Sequence, residues 1–365
     1  MNGGRTQASS PSRRIVGLQY LRALAAYLVV VVHIGILFHA WGLEDLFRLG
    51  ACGVDIFFVI SGFVLTYTVL GERSVNPITF IWHRVARVVP SYWLLTLIVC
   101  VIAGVARMQM GGTQFSWPNL VKSLLFIPYE RGDGRMEPLL FVGWSLNYEM
   151  AFYLAFSVAM MAQRRFAWLR WLALGMVLLV ASNLLPVQGS RLVNFYRSPY
   201  LLEFVCGMGL ARLYPVMPRS LPLARAAAAL LWPALCFIIV LPMLLHGFAA
   251  HIAGCLIAGG IVGCTLLVEK AQLWPRSLFW ATMGDASYAL YLTHPFVVSG
   301  AMLFARRAGL HSAAEMVLLA VSVLIGSTSL AVWYYRHVEQ PLTRLAMGRP
   351  ARKAKIDGVI TLPQR

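Results

Sequence analysis

Two residues that can carry charge or move a proton, Arg22 and His33, lie in one apolar stretch that reads GLQYLRALAAYLVVVVH from Gly17. Eleven residues separate them, which is about three turns of an α-helix, so both side chains project from one face, roughly 16 Å apart along the axis. A charged arginine at the middle of a bilayer costs about 2.5 to 3.5 kcal/mol on insertion scales. This face is therefore predicted to look into protein or water. Two interpretations stay open: a functional polar stripe, or an arginine that holds helices together and a histidine satisfied by a backbone carbonyl.

A carboxylate near the start of the second apolar run, GACGVDIFFVISGF, is the first candidate partner for this histidine. If the chain crosses the bilayer here, Asp55 lies at the same membrane face that His33 reaches. A neighbouring carboxylate can orient and charge an imidazole, as in many acid-base pairs. The alternative is that Asp55 caps the helix start, with Gly50 and Gly53 allowing close helix packing.

Glu149 is the second candidate acid, in the run WSLNYEMAFY. It is predicted within a turn or two of the outer surface, and Tyr153, four residues on, shares its helix face. An intramembrane carboxylate is costly unless it is paired or protonated. Glu149 is therefore either half of a structural ion pair, with Arg22 as the candidate partner, or an acid-base group.

Two arginines precede the third apolar run, in IWHRVARVVPSY. Arg84 and Arg87 are three residues apart and share a helix face, with Trp82 and Tyr92 expected at interfacial depth on either side. Two guanidinium groups on one face suit a phosphate-rich ligand, because each can bind phosphate oxygens bidentately. The preference of cytoplasmic loops for arginine would also place them here.

A fourth cluster of polar residues lies near the C-terminus, in MGDASYALYLTHPF. Ser287, Tyr291 and His294 recur at four and three residues, so they share one helix face. Pro295 is predicted to kink this helix and to free a backbone carbonyl. Ligand contact and hydrogen-bonded helix packing are both open for this face.

The composition identifies the kind of protein that must position these side chains. The chain is 59% hydrophobic and 12% charged, with a mean hydropathy of +0.70, whereas a soluble domain is about 25% charged. It is therefore predicted to be an all-α polytopic membrane protein. Its formal charge of +17 comes mostly from cations between apolar runs, where they set topology. Anionic lipid is then the expected partner of this charge, and nucleic acid is not. The six cysteines have no metal-like spacing, and no metal is predicted.

About ten apolar runs are each long enough to span a bilayer. They are predicted at 15–38, 50–70, 88–106, 139–162, 168–185, 194–213, 226–245, 250–268, 286–304 and 313–335. With the N-terminus in the cytoplasm, 21 Lys and Arg residues fall on the cytoplasmic side and nine on the opposite side. This bias predicts that both termini are cytoplasmic. The predicted organisation is a cytoplasmic arm at 1–14, a membrane domain at 15–341 and a basic cytoplasmic tail at 342–365.

These residues resemble the motifs of the acyltransferase-3 family, whose multi-spanning members O-acylate extracytoplasmic carbohydrates. The resemblance runs through seven segments in the family's order, from about Leu18 to Pro341. They are LQYLRALAAYLVVVVH with Arg22 and His33, GVDIFFVISGF with Asp55 and Ser61, HRVARVVPSY with Arg84 and Arg87, WSLNYEMAFYL with Glu149, LEFVCGMGL with Glu203, GDASYALYLTHP with His294, and VEQP with Glu339. The opening YLRALAA is most similar to the branch that acts on exopolysaccharides and related glycans.

The resemblance implies transfer of an acetyl or another short acyl group from cytoplasmic acyl-CoA to a sugar hydroxyl at the outer face of a bacterial inner membrane. It makes His33 catalytic, with Glu149 as its acidic helper. Asp55 is a further catalytic candidate because of its predicted position near His33. Arg84 and Arg87 would bind the acetyl-CoA donor, with Arg22 grouped beside them. A transporter or flippase for a glycan or lipid-linked substrate is the alternative, because intramembrane Arg, His and Glu are typical of both classes. Transporters more often show inverted repeats, and the halves of this chain are not similar.

Overall fold

The computed structural model describes residues 13–43, 47–71, 75–105, 116–162, 167–185, 189–245, 247–348 and 361–362. The predicted arm at 1–14 and tail at 342–365 lie mostly outside the described residues, so their boundaries stay predictions. The two-residue strands β1 (Arg13–Arg14) and β2 (Thr361–Leu362) pair antiparallel.

The described chain is otherwise built from helices and their connections. The α-helices are α1 (Val16–Ile34), α2 (Cys52–Gly71), α3 (Pro77–Val105), α4 (Trp117–Leu124), α5 (Trp144–Ala162), α6 (Trp168–Ala181), α7 (Arg191–Tyr196), α8 (Tyr200–Leu213), α9 (Leu221–Leu244), α10 (Gly247–Lys270), α11 (Leu278–Asp285), α12 (Ser287–Ala308), α13 (Ala313–Tyr334) and α14 (Gln340–Ala346). Short 3-10 turns occur at Gly35–Trp41, Arg48–Ala51, Phe141–Gly143, Ser182–Leu184 and Tyr214–Val216, and a π-helical turn occurs at Tyr335–Glu339. The all-α polytopic prediction is confirmed.

Seven helical segments are long and apolar enough to cross a membrane, among the described residues. They are Val16–Trp41, Cys52–Gly71, Pro77–Ala103, Leu221–Val240, Gly247–Lys270, Ser287–Ala308 and Ala313–Ala346. The other three predicted spans are also helical, as α5, α6 and α8. They differ from the seven because α5 carries polar residues and because α6 and α8 have 14 residues each. Such helices can still cross part of a bilayer when they are packed within the protein.

Helix α1 is the centre of the packing, and most of its length is buried. It contacts α2, α10, α11 and α12. Its first turn has no side-chain cap, but the Gly17 amide donates to the Glu269 carboxylate at 2.9 Å, which satisfies one of the otherwise unpaired N–H groups. The Tyr20 hydroxyl donates to the Pro275 carbonyl at 2.8 Å. These contacts fix the start of the helix that carries Arg22 and His33.

Helices α2 and α8 approach at two glycines. A Cβ at Gly62 would overlap the Phe204 carbonyl, and a Cβ at Gly207 would overlap the Val59 carbonyl. This backbone contact fixes the position of α2, and it uses the small residues that helix pairs in membranes commonly place at their interfaces.

We expect Gly207→Ala to destabilise the protein, because the added methyl group must displace α2. Overpacking of this kind typically costs about 1 to 3 kcal/mol. The matched control is Gly209→Ala on the same helix, where an added Cβ meets no atom within 4 Å. Thermal unfolding in detergent checks this prediction. Equal melting temperatures for the two variants would contradict the close α2–α8 contact.

Part of the segment between α3 and α5 is ordered against the helices. In α4, Leu120 and Ser123 are buried, whereas Trp117 is 72% exposed. Further along, the Arg131 guanidinium pairs with the Glu137 carboxylate at 2.9 Å. Burial raises the pKa of Glu137, and the charge of Arg131 partly counteracts this rise. Residues 106–115 of the segment lie outside the described residues.

Candidate active site

His33 lies beside a second histidine, His294 of α12. Nδ1 of His33 is 2.8 Å from the Val29 carbonyl oxygen and 3.2 Å from Nε2 of His294. Nδ1 of His294 is 3.0 Å from the Leu290 carbonyl oxygen. His294 is fully buried, and His33 is only partly buried, so one edge of the pair remains open. We call these two side chains the histidine pair.

The turn before α5 packs on the histidine pair. The Phe141 ring lies 5.2 Å from the His33 ring, centroid to centroid. Tyr291, one turn before His294, donates its hydroxyl to the Val142 carbonyl at 2.7 Å and lies 2.7 Å from the Ser145 hydroxyl. These bonds hold α12 against the start of α5. Tyr291 and His294 therefore act on the same region, as their spacing predicts.

Ser287 does not join Tyr291 and His294. Its hydroxyl donates to the Gly284 carbonyl at 2.8 Å, within the turn that links α11 to α12. For Ser287, the packing interpretation fits the structure better than ligand contact does.

Glu149 lies in a second layer of the site, apart from the contacts of His33. Its carboxylate accepts a hydrogen bond from the Ser61 hydroxyl at 2.8 Å and another from the Tyr153 hydroxyl. Glu149 follows Phe141, the neighbour of His33, by eight residues, which is about 12 Å along a helix.

Arg84 lies in the same layer of the site as Glu149. Its side chain is half-buried, packs over the Phe80 ring at 5.5 Å and interacts electrostatically with Tyr153, Arg87 and Glu149. Its Nε atom is buried and makes no hydrogen bond to any residue in the described part of the chain. Of the two aromatic residues that flank the arginine pair, Tyr92 is fully buried and Trp82 is 52% exposed. Arg84 thus presents a donor inside the protein.

Arg22 joins this layer from α1. It is 9% exposed, and its guanidinium lies 3.5 Å from the Gln19 side-chain oxygen. Arg87, Asp285, Glu339 and Glu149 all lie within electrostatic range of Arg22. The predicted interaction between Arg22 and Glu149 is therefore present as one of several. We call Arg22, Arg84, Arg87, Glu149 and Glu339 the arginine cluster.

Glu339 is a member of this cluster that the chemical argument from spacing did not single out, although the family motif VEQP contains it. It is 4% exposed and lies in the π-helical turn after α13. Such turns are frequent at functional sites. A usable signal was present in the sequence, because Glu339 is a carboxylate at the end of the last apolar run, two residues before Pro341.

Asp55 lies in a third group of polar residues, away from the contacts of His33. Its carboxyl group interacts with the Glu203 carboxyl group, and a Cβ at Gly254 would lie 3.3 Å from its Oδ2 atom. Neither Asp55 nor Glu149 is a hydrogen-bond partner of His33 among the described residues. The expectation that a carboxylate orients the His33 imidazole is thus corrected, because a second imidazole occupies that position.

The site therefore offers two kinds of chemistry at two depths. The histidine pair can accept and hold a proton near an open edge. The arginine cluster offers three guanidinium groups, which suit an anionic ligand, and carboxylates that balance their charge when no ligand is bound. Arg22 and His33 set the separation of the two groups along α1 at roughly 16 Å.

Comparison with known proteins agrees with the motifs. A family model described as an acyltransferase domain, that of the acyltransferase-3 family, matches residues 15–336. The exopolysaccharide production protein ExoZ of Rhizobium meliloti is 31% identical over 307 residues, which cover 83% of this chain and 92% of that protein. The acyltransferase MdmB of Streptomyces mycarofaciens is 29% identical, over 82% of each chain.

A third relative is the peptidoglycan O-acetyltransferase OatA of Listeria monocytogenes, which is 26% identical over 78% of this chain and 49% of that protein. No solved structure matches the chain significantly. The matched region contains the histidine pair, Arg22, Arg84, Arg87 and Glu149. The chain therefore belongs to the acyltransferase-3 family of multi-pass membrane O-acyltransferases.

Proposed function

We propose that this protein transfers an acetyl or short acyl group from acyl-CoA, bound from the cytoplasm, to a hydroxyl of an extracytoplasmic polysaccharide. The observation that carries the proposal is the separation of the arginine cluster, in which Arg22 and Glu339 are buried, from the partly open histidine pair, with α1 contributing to both. A donor rich in phosphate fits the first group. A neutral acceptor hydroxyl that must lose a proton fits the second.

The acceptor class is supported by the relatives, because one is named for exopolysaccharide production and another for peptidoglycan O-acetylation. Acyl transfer to an alcohol needs a base that removes the hydroxyl proton and donors that stabilise the tetrahedral oxyanion. His33 is our candidate base. Arg84, whose buried Nε donor has no partner in the described part of the chain, is our candidate for binding anionic oxygen on the donor.

In this proposal Glu149 is a charge partner of the arginines and not the acidic helper of His33. Held by Ser61 and Tyr153 and close to Arg84, it balances the arginine charge. An unpaired buried charge is expensive, so the cluster needs carboxylates before the donor arrives. Assistance by Asp55 stays a prediction, and in this geometry it would act through the packing of α2 instead of by contact with His33.

The proposed orientation is a bacterial inner-membrane protein with both termini in the cytoplasm, supported by the bias of 21 against nine Lys and Arg residues. Reporter fusions at each end test it. We expect reporters that are active only in the cytoplasm to work at both termini. A C-terminus on the outer side would contradict the proposed sidedness of donor and acceptor.

The activity is tested with the purified protein in lipid vesicles, acetyl-labelled acetyl-CoA and an exopolysaccharide acceptor. We expect the label to appear on the glycan as an ester that mild alkali removes. Mass spectrometry of surface polysaccharide from cells with and without the protein then identifies the modified sugar. Movement of glycan across the bilayer without acylation would instead support the transporter alternative.

A further inference from the structure

The protonation of the histidine pair follows from its contacts. A neutral imidazole carries one N–H and one lone pair. Nδ1 of His294 lies 3.0 Å from the Leu290 carbonyl oxygen, and two lone pairs at that distance would repel. Pro295 has no N–H, so the Tyr291 carbonyl lacks the hydrogen bond that the residue four positions on would donate in a regular helix. Nδ1 of His294 therefore carries the proton, and its Nε2 is an acceptor.

The position of the proton on the His33 ring follows in the same way. Its Nδ1 lies 2.8 Å from the Val29 carbonyl oxygen, so this nitrogen also carries the proton. The same nitrogen lies 3.2 Å from Nε2 of His294, which carries a lone pair and can accept this proton in a hydrogen bond. The opposite assignment would place a lone pair against a carbonyl oxygen at both histidines. Nε2 of His33 is then left with its lone pair, and it makes no hydrogen bond to any residue that the structure describes.

We infer that His294 is a positioning residue for His33, and this inference rests on the proposed role of His33 as the base. The Nε2 lone pair of His294 holds the proton of His33 on Nδ1 and so presents Nε2 of His33 to the acceptor hydroxyl. When Nε2 takes the hydroxyl proton, His33 becomes an imidazolium. Its Nδ1–H bond to the neutral His294 is then charge-assisted, and such bonds are roughly twice as strong as neutral ones.

Burial makes this partner hard to replace. His294 is 0% exposed and lies on the same helix as Tyr291. Removal of its ring leaves the Val29 carbonyl as the single described acceptor for Nδ1–H of His33, and that carbonyl also serves the helix. A buried polar group that loses its partner costs free energy, so the ring of His33 gains freedom to turn or to change tautomer.

The test compares His294→Gln with His294→Leu. The Gln side chain keeps an acceptor oxygen and a donor amide but cannot carry a proton, whereas Leu keeps only bulk. We expect His294→Leu to lower kcat about 10- to 100-fold, the loss that follows removal of the outer hydrogen-bond partner of a metal-bound imidazole. KM for acetyl-CoA should not change, and His294→Gln should recover most of kcat. Thr293→Val is the matched control, since Thr293 is buried on the same helix and bonds only its own turn.

A spectroscopic measurement tests the tautomer without any assay of activity. Nitrogen-15 NMR of histidine-labelled protein distinguishes the protonated from the unprotonated ring nitrogen, and the signals that vanish in His33→Gln identify His33. In the wild-type protein at a pH where the ring is neutral, we expect the proton of His33 on Nδ1. In His294→Leu we expect both tautomers, and in His294→Gln the wild-type one.

Each outcome decides the inference. A wild-type proton on Nε2 of His33 overturns it, even if His294→Leu fails to fold. Full activity in His294→Leu also overturns it, and if His33→Gln is inactive in the same assay, the proposed function survives. Activity in His33→Gln would instead remove the proposed base. Equal loss in folded His294→Gln and His294→Leu would mean that His294 itself carries the proton, which contradicts a positioning role.

Discussion

His33→Gln is expected to lower acyl transfer about a hundred- to ten-thousandfold, the usual range for loss of a general base. Gln keeps hydrogen-bonding capacity beside Val29 and His294, but it cannot accept the hydroxyl proton. Because His33 lies roughly 16 Å from Arg22 along α1, the arginine cluster should not be disturbed. Donor binding should therefore stay at the wild-type level while turnover is lost.

The measurements are initial rates of acyl transfer and calorimetric acetyl-CoA binding for the purified variant in lipid. His39→Gln is a suitable control, because His39 lies just after α1, is exposed and is the nearest histidine in the sequence. Near-normal turnover in His33→Gln would remove histidine from the mechanism. Loss of folding in the variant would instead favour the interpretation of His33 as a structural residue.

The helical architecture was predictable because hydrophobic length and charge bias act locally along the chain. Each apolar run needs internal hydrogen bonding in lipid, and this requirement dictates a helix wherever such a run occurs. Arg22 and His33 were placed on one face by spacing alone, and Arg22 is indeed buried within the bundle. These inferences needed no knowledge of which helices are neighbours.

Partners between helices were not predictable, because they depend on the depth and rotation of two separate segments. Glu149 was assigned to the outer end from its distance to the start of an apolar run. Its contact with Ser61 of α2 depends on how the two helices pack, which that distance does not give. Likewise, nothing local to His294 indicates that its ring faces His33, 261 residues earlier.

The carboxyl pair of Asp55 and Glu203 illustrates the same limit. Asp55 alone was consistent with a partner of His33 or with a helix cap, and Glu203 was identified only as part of a family motif. The contact between α2 and α8, made close by Gly62 and Gly207, brings the two carboxyl groups together. Two carboxyl groups held this close repel each other when both are ionised.

The arginine pair is expected to give the largest effect on donor binding. Replacing both Arg84 and Arg87 by Ala should weaken acetyl-CoA binding by at least about tenfold, because a hydrogen bond to a charged group contributes about 1.5 to 3 kcal/mol. Arg84→Lys should also weaken it, since Lys keeps the charge but lacks the planar fork. Arg276→Ala, an exposed cation between α10 and α11, is the matched control.

A second ligand distinguishes arginines that bind phosphate from arginines that hold the helices together. Acetylpantetheine carries the same thioester as acetyl-CoA but has no phosphate groups, so it should bind the wild-type protein weakly and should lose little further affinity in the double Ala variant. The difference between the two ligands isolates the coupling of the arginines to phosphate, in the manner of a double-mutant cycle. If both ligands lose affinity equally, the arginines hold the helices together instead of the phosphates. If the folded double variant binds acetyl-CoA as wild type does, the donor site lies elsewhere in the protein.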